Sequence, residues 1–122
     1  ALGVRDFGLG MQPDDVERDV LRAVLSAADL VVLDLPQGRV AGRARSCDVG
    51  VVVTRCETLS VAGAQSVAAD LGPVPSGLVC RRSAAGRLLP HDVAAAAGME
   101  LWGEVVSDPR VAAAVELVLV LL

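Results

Sequence analysis

The sequence contains no lysine, and all eleven of its basic residues are arginine. A Walker A phosphate-binding loop needs a lysine on the nucleotide phosphates, so this chain alone is excluded from being a self-sufficient P-loop enzyme. Aromatic residues make up only 2% of the chain, whereas hydrophobic residues make up 53%. The core must therefore consist of Ala, Val and Leu. Such small side chains suit helices that pack closely on a parallel sheet.

Metal-binding and membrane-spanning patterns are also scarce. The three cysteines, Cys47, Cys56 and Cys80, show no CxxC spacing, and His91 is the single histidine. A zinc site is therefore not expected. An odd number of cysteines without a signal peptide predicts reduced thiols in the cytoplasm. The apolar tail that begins at Val111 has about twelve residues, too few for a transmembrane helix.

The charge balance bears on possible partners. The net charge is −4 and the sequence pI is about 4.8, so bulk electrostatic attraction to nucleic acids is disfavoured and there is no clear nucleic-acid signal. A length of 122 residues predicts one domain over residues 1–122 with a core of modest size.

One apolar run dominates the pattern. Residues Leu30–Leu33 are four apolar residues in a row, followed by Asp34 and, two residues later, by Pro36. Such a run predicts a strand that is buried on both faces of a parallel sheet and ends at the proline. Asp34 would then lie at the carboxyl edge of the sheet, where open α/β folds bind ligands. An aspartate there holds Mg²⁺ or its water in nucleotide-hydrolysing proteins, although many strands end in an Asp that only caps the next turn.

Helical and strand patterns alternate along the chain. The predicted strands lie at 30–34, 49–53, 76–81 and 99–105, and the predicted helices at 12–28, 58–71 and 90–97 and from Ser107 onward. A short helix weakened by Gly42 is expected between the first two strands. This alternation predicts a three-layer α/β/α fold with a mostly parallel sheet.

Individual side chains have simpler expected roles. Ser107 is the natural N-cap of the last helix, with Pro109 in its first turn. Trp102 is expected to pack against that helix. Cys56 and Cys80 are expected to be small core residues rather than nucleophiles.

Three stretches together resemble a known family. The run DLVVLDLP over residues 29–36 is similar to a Walker B strand, and Val49–Thr54 is similar to the strand that follows the switch region. Residues 98–112 carry the pattern G-x-x-x-x-G-x-x-x-x-D-P-x-hydrophobic-A. From about Val16 to Glu116 the chain resembles the second half of the MinD/ParA/CpaE family of deviant P-loop ATPases. The stretches Leu78–Arg81 and Leu89–Val93 most resemble its CpaE-like septum site-determining branch.

The resemblance implies a P-loop NTPase-like fold that lacks the P-loop strand, and it implies roles for four residues. Asp34 corresponds to the catalytic-type carboxylate that acts on Mg²⁺ through water. Arg81 takes the place of an asparagine that contacts the base in many relatives, and Asp108 and Pro109 border the base pocket. Mg-ATP is the implied cofactor of the full-length relative, which dimerises. The Walker A loop and its lysines have no counterpart here, so catalysis by this chain alone is not expected.

Three functional hypotheses follow. The first is the C-terminal part of a MinD/CpaE-like ATPase involved in septum placement or in positioning a pilus or secretion apparatus. The second is a non-enzymatic α/β interaction module that has lost nucleotide binding. The third is a receiver-like domain with Asp34 as the acceptor, but its acidic pair and its lysine are not found. An unpaired apolar edge at Leu30–Asp34 also predicts a homo-oligomer or a partner protein.

Overall fold

The computed structural model describes residues 13–82, 87–111 and 113–115. Contacts between Cα atoms divide the chain into two compact units, Ala1–Pro36 and Gln37–Leu122. No helix in the described ranges is both long enough and apolar enough to cross a membrane.

The amphipathic helix α1 of the first unit spans Pro13–Ala27. Asp14 and Asp15 lie in its first turn, where carboxylates interact favourably with the positive end of the helix dipole. The helix predicted from the spacing of its apolar residues is thus confirmed. Part of that apolar stripe is exposed, since Val24 and Leu25 keep 39% and 52% of their surface accessible.

The strand predicted at residues 30–34 is wrong. Residues 30–36 are irregular, and they pair with no strand in the part of the chain that the structure describes. Leu30 and Val32 are 81% and 84% exposed instead of buried. An apolar, β-branched run supplies only a strand propensity, and a strand forms only when a neighbour takes up its backbone hydrogen bonds.

The second unit opens with three short helical turns. Residues Gln37–Arg39 and Ala44–Ser46 are 3-10 turns that flank α2, Val40–Arg43. This broken helix confirms the expectation of a short element weakened by Gly42. Val40 and Ala44 are its buried residues, so the segment packs through these two small apolar side chains.

A parallel sheet forms the centre of the second unit. Its strands are β1 (Gly50–Arg55), β2 (Ser76–Arg82) and β3 (Leu101–Val106), in the order β1-β2-β3. Helix α3 (Thr58–Leu71) connects β1 to β2, and helix α4 (Pro90–Ala97) connects β2 to β3. Residues 109–111 and 113–115 are helical after β3. The predicted α/β class is confirmed: a parallel sheet is flanked by helices, consistent with a three-layer α/β/α architecture.

The register of the sheet places alternate residues on its two faces. Val52 is opposite Leu78, and Leu78 is opposite Leu101, with an irregularity between Leu78 and Val79 that shifts the pairing with β3. Side chains of opposite Cα partners lie on the same face of a sheet. The register therefore determines which side chains meet at each face.

The core lies between one face of the sheet and helices α3 and α4. Leu78, Cys80 and Val93 are completely buried, and the remaining buried side chains are mostly Ala, Val and Cys. The Nε2 of Gln65 on α3 donates to the carbonyl oxygen of Ala96 on α4 at 2.7 Å. The small size of these buried side chains confirms the predicted small-residue core.

The face of β1 that is turned away from this core is exposed. A continuous apolar run such as Val51–Val53 predicts a strand that is buried on both faces, yet Val51 and Val53 are 56% and 69% exposed. β1 is an edge strand, and a run of valines alone does not distinguish a strand covered on both faces from one covered on a single face.

Candidate functional site

The carboxyl ends of β1 and β2 bring two arginines together. Arg55 and Arg81 are opposite each other in the register of the two strands, and both are exposed. Two guanidinium groups on the same face at the end of a parallel sheet repel each other. An anionic ligand that binds both would relieve this repulsion, so the pair favours an anion. Arg55 was not identified from the sequence, since a single sequence does not give the register that pairs it with Arg81.

Ser107 orients Arg81. The Nε of Arg81 donates to Ser107 Oγ at 3.1 Å, and Ser107 Oγ donates to the carbonyl oxygen of Arg82 at 3.0 Å. The backbone N–H of Ser107 donates to the same carbonyl at 3.3 Å. Ser107 therefore links the end of β2 to the end of β3 and constrains the guanidinium of Arg81.

The expected N-cap role belongs to Asp108 rather than to Ser107. The backbone N–H of Arg110 donates to Asp108 Oδ1 at 2.9 Å, the geometry of a capping carboxylate. Because Ser107 Oγ donates to the Arg82 carbonyl, the next residue takes the capping position. The N-cap predicted at Ser107 therefore lies one residue later in the structure, at Asp108.

Asp108 also forms a close ion pair. The Nε of Arg110 lies 3.1 Å from both carboxylate oxygens, and its Nη2 lies 2.7 Å from Oδ2. The side-chain hydrogen bond from Arg110, followed by the backbone hydrogen bond from Arg110, lowers the pKa of Asp108. Asp108 is therefore ionised, and its carboxylate is held by Arg110.

Arg82 differs from Arg81 although the two are neighbours in β2. It lies on the face of Leu78 and Cys80, and its Nη1 is 3.9 Å from Glu104 Oε1. Its charge therefore has an acidic partner on the other side of the sheet. This makes Arg82 a matched reference for substitutions at Arg81.

Two thiols lie behind this edge. The backbone N–H of Cys56 donates to the Arg81 carbonyl oxygen at 3.2 Å, and Cys80 Sγ donates to the Pro90 carbonyl oxygen at 3.9 Å. Burial, together with the neighbouring Cys56 thiol, raises the pKa of Cys80 to about 11. Cys80 therefore stays a protonated core thiol, as expected, and is no nucleophile at neutral pH.

The four predicted site residues are divided between the two units. Arg81, Asp108 and Pro109 come together at the carboxyl edge of the sheet in the second unit. Asp34 belongs to the first unit, on the irregular segment, and is exposed. No strand end positions Asp34, so its predicted metal role depends on the sequence resemblance alone. Within the described ranges, no three His, Cys, Asp or Glu residues are grouped as metal ligands.

Comparisons with known proteins supply no family. A scan of protein-family models, a search of curated proteins and a search of solved structures each found no match for this chain.

Proposed function

We propose that this chain supplies the base-side part of the nucleotide site of a MinD/ParA/CpaE-like ATPase and is not catalytic alone. The observation that carries the proposal is the constrained Arg81, which lies beside Arg55 and is linked through Ser107 to the loop that carries Asp108 and Pro109. This constellation lies where open α/β sheets bind ligands.

The chemistry of these residues suits a nucleotide. A guanidinium is planar and always charged, so it stacks on a base or donates in parallel to phosphate oxygens. The two arginines attract the anion, while Asp108, whose carboxylate accepts from Arg110, caps the helix that follows Ser107. The order of the sequence patterns from the Walker B-like run to the D-P pair gives additional support.

Hydrolysis requires groups that this chain does not provide. It contains no lysine for the phosphates, and Asp34 is the one residue that the resemblance assigns to Mg²⁺. In the proposal, Mg-ATP is the ligand of the complete ATPase, which acts in the cytoplasm as a homo-oligomer or with a partner protein. The function of this complete ATPase would be septum placement or the positioning of a pilus or secretion apparatus.

A thermal-shift titration with Mg-ATP and Mg-ADP tests the proposal. A ligand that binds only the folded state at ten times its Kd adds about 1.4 kcal/mol to the free energy of unfolding, which gives a measurable rise in Tm. The rise is expected to disappear in Arg81→Ala and to weaken in Arg55→Ala. It should persist in Arg82→Ala, because that side chain lies on the other face of the sheet.

Two results would contradict the nucleotide proposal. One is a flat titration curve for the unmodified chain at millimolar nucleotide. The other is an equal loss of the shift in Arg81→Ala and Arg82→Ala, which would indicate only general attraction of an anion to positive charge.

The second candidate is a non-enzymatic interaction module that has lost nucleotide binding. The exposure of Val51 and Val53 on one face of β1 favours it, because soluble proteins rarely leave large apolar patches without a partner. A flat nucleotide titration combined with measurable self-association would support this candidate over the first.

A further inference from the structure

One face of the sheet is apolar and exposed. It is the face opposite to α3 and α4, and we call it the valine face. The exposed fractions are 56% and 69% for the two valines of β1 and 43% and 52% for the two apolar residues of β3. Strand alternation and the register assign to it Val51, Val53, Val79 and Val105. Trp102 lies at the irregularity in the pairing of β2 with β3, and its indole reaches this face over Gly77.

Opposite charges flank the valine face at its two ends. At the carboxyl end, Arg55 and Arg81 continue the alternation of Val53 and Val79. At the amino end, the indole Nε1 of Trp102 donates to Glu100 Oε2 at 3.3 Å. Since the indole lies over Gly77 on this face, the hydrogen bond holds the Glu100 carboxylate at the same side of the sheet.

We propose that a second copy of this chain docks on the valine face, with the two sheets related by a two-fold axis and their strands antiparallel. An isologous interface must be self-complementary. In the antiparallel arrangement, the arginine end of each copy faces the Glu100 end of the other. Apolar side chains then cover each other between the two charged ends, as in a packed pair of sheets.

The charges select this arrangement over the parallel one. If the strands of both copies ran in the same direction, Arg81 on the central strand would face the same arginine of the other copy. Such like charges repel one another. In the antiparallel arrangement centred on Val79, Arg81 faces Gly77 of the other copy. In each copy the indole of Trp102 covers Gly77 and is hydrogen-bonded to the carboxylate of Glu100. An arginine over an indole face is attracted to it.

Residues 30–34, which were predicted to form an unpaired edge strand, are irregular. The surface proposed for association is therefore the valine face and not that edge. The association needs no nucleotide, but it shares Arg55 and Arg81 with the proposed nucleotide site, so it is measured in the absence of nucleotide.

Sedimentation velocity without nucleotide, over a range of micromolar concentrations, tests the proposal. The unmodified chain is expected to be a dimer that dissociates on dilution. Val53→Asp should raise the dimer Kd by roughly a hundredfold or more, because each dimer buries two such carboxylates at its centre. The matched control is Leu59→Asp on α3, where the side chain is 91% exposed and away from the valine face. This variant should dimerise like the unmodified chain.

A charge-reversal pair tests the orientation. Arg81→Glu should weaken the dimer, and the double variant Arg81→Glu/Glu100→Arg should restore it. Circular dichroism checks that each exposed-site variant remains folded. A monomer at every concentration, an equal effect of Val53→Asp and Leu59→Asp, or no restoration in the double variant would overturn the proposal.

Discussion

Arg81 and Arg82 are consecutive residues of the same type with different surroundings. One donates to Ser107 and faces Arg55, while the other lies near Glu104 on the far side of the sheet. The family resemblance named Arg81 as a candidate, because it takes the place of a base-contacting asparagine. It did not identify Arg55 or the role of Ser107, because both depend on how three separate strand ends are aligned.

Cysteine titration gives a prediction at the same scale. The chain has no lysine and no tyrosine, so few groups other than thiols titrate between pH 9 and 11. Cys80 has its pKa raised from 9.0 to about 11, so above pH 9 the unfolded state binds fewer protons than the folded state. The free energy of unfolding should therefore fall with rising pH through this range, by on the order of 2 kcal/mol.

Urea denaturation at a series of pH values measures that slope. We expect Cys80→Ala to lose much of it, whatever its own stability, and Cys47→Ala to keep it. A slope that is the same in both variants would show that the buried thiol is not its source.

Individual elements differ in how well their sequences specify them. Helix α3 begins and ends where its pattern predicts, because Gly72-Pro73 breaks the helix, and α4 has Pro90 in its first turn and Gly98 at positive φ after its last. Such helix signals are local. The irregular segment 30–36 has an equally clear apolar pattern, but a strand depends on a distant neighbour, and its sequence carries no information about whether one exists.

The contact between β2 and β3 gives a prediction for an element. A Cβ added at Gly77 would overlap the Cγ, Cδ2 and Cε2 atoms of Trp102. Gly77→Ala should therefore lower the free energy of unfolding by about 1–3 kcal/mol. At Gly63, inside α3, nothing lies within 4 Å of an added Cβ, so Gly63→Ala should raise it by about 0.5–1 kcal/mol.

A double-mutant cycle in urea separates the overlap from a general effect on the strand. In a Trp102→Ala background, Gly77→Ala should cost much less than in the unmodified chain. An equal cost in both backgrounds would mean that the indole does not occupy the space over Gly77.

For the whole molecule, the alternation of helices and strands was sufficient to predict an α/β fold with a parallel sheet. It was not sufficient to predict which faces are covered, because Val51, Val52 and Val53 look alike in the sequence while only Val52 is buried. The division of the chain into two compact units has no compositional marker such as a Gly- or Ser-rich linker. Of the candidate-site residues, Arg81, Asp108 and Pro109 were named through the resemblance, and their role stays a prediction.

The most direct test of the nucleotide proposal is the mapping of amide chemical shifts in ¹⁵N-labelled chain during titration with Mg-ADP. We expect the largest changes at the amides of Arg82, Ser107 and Arg110, and we expect Arg81→Ala to abolish them. Amides in the middle of α3 should stay unchanged and serve as the internal reference. The absence of changes at the carboxyl edge of the sheet at millimolar Mg-ADP, or changes confined to other parts of the chain, would contradict it.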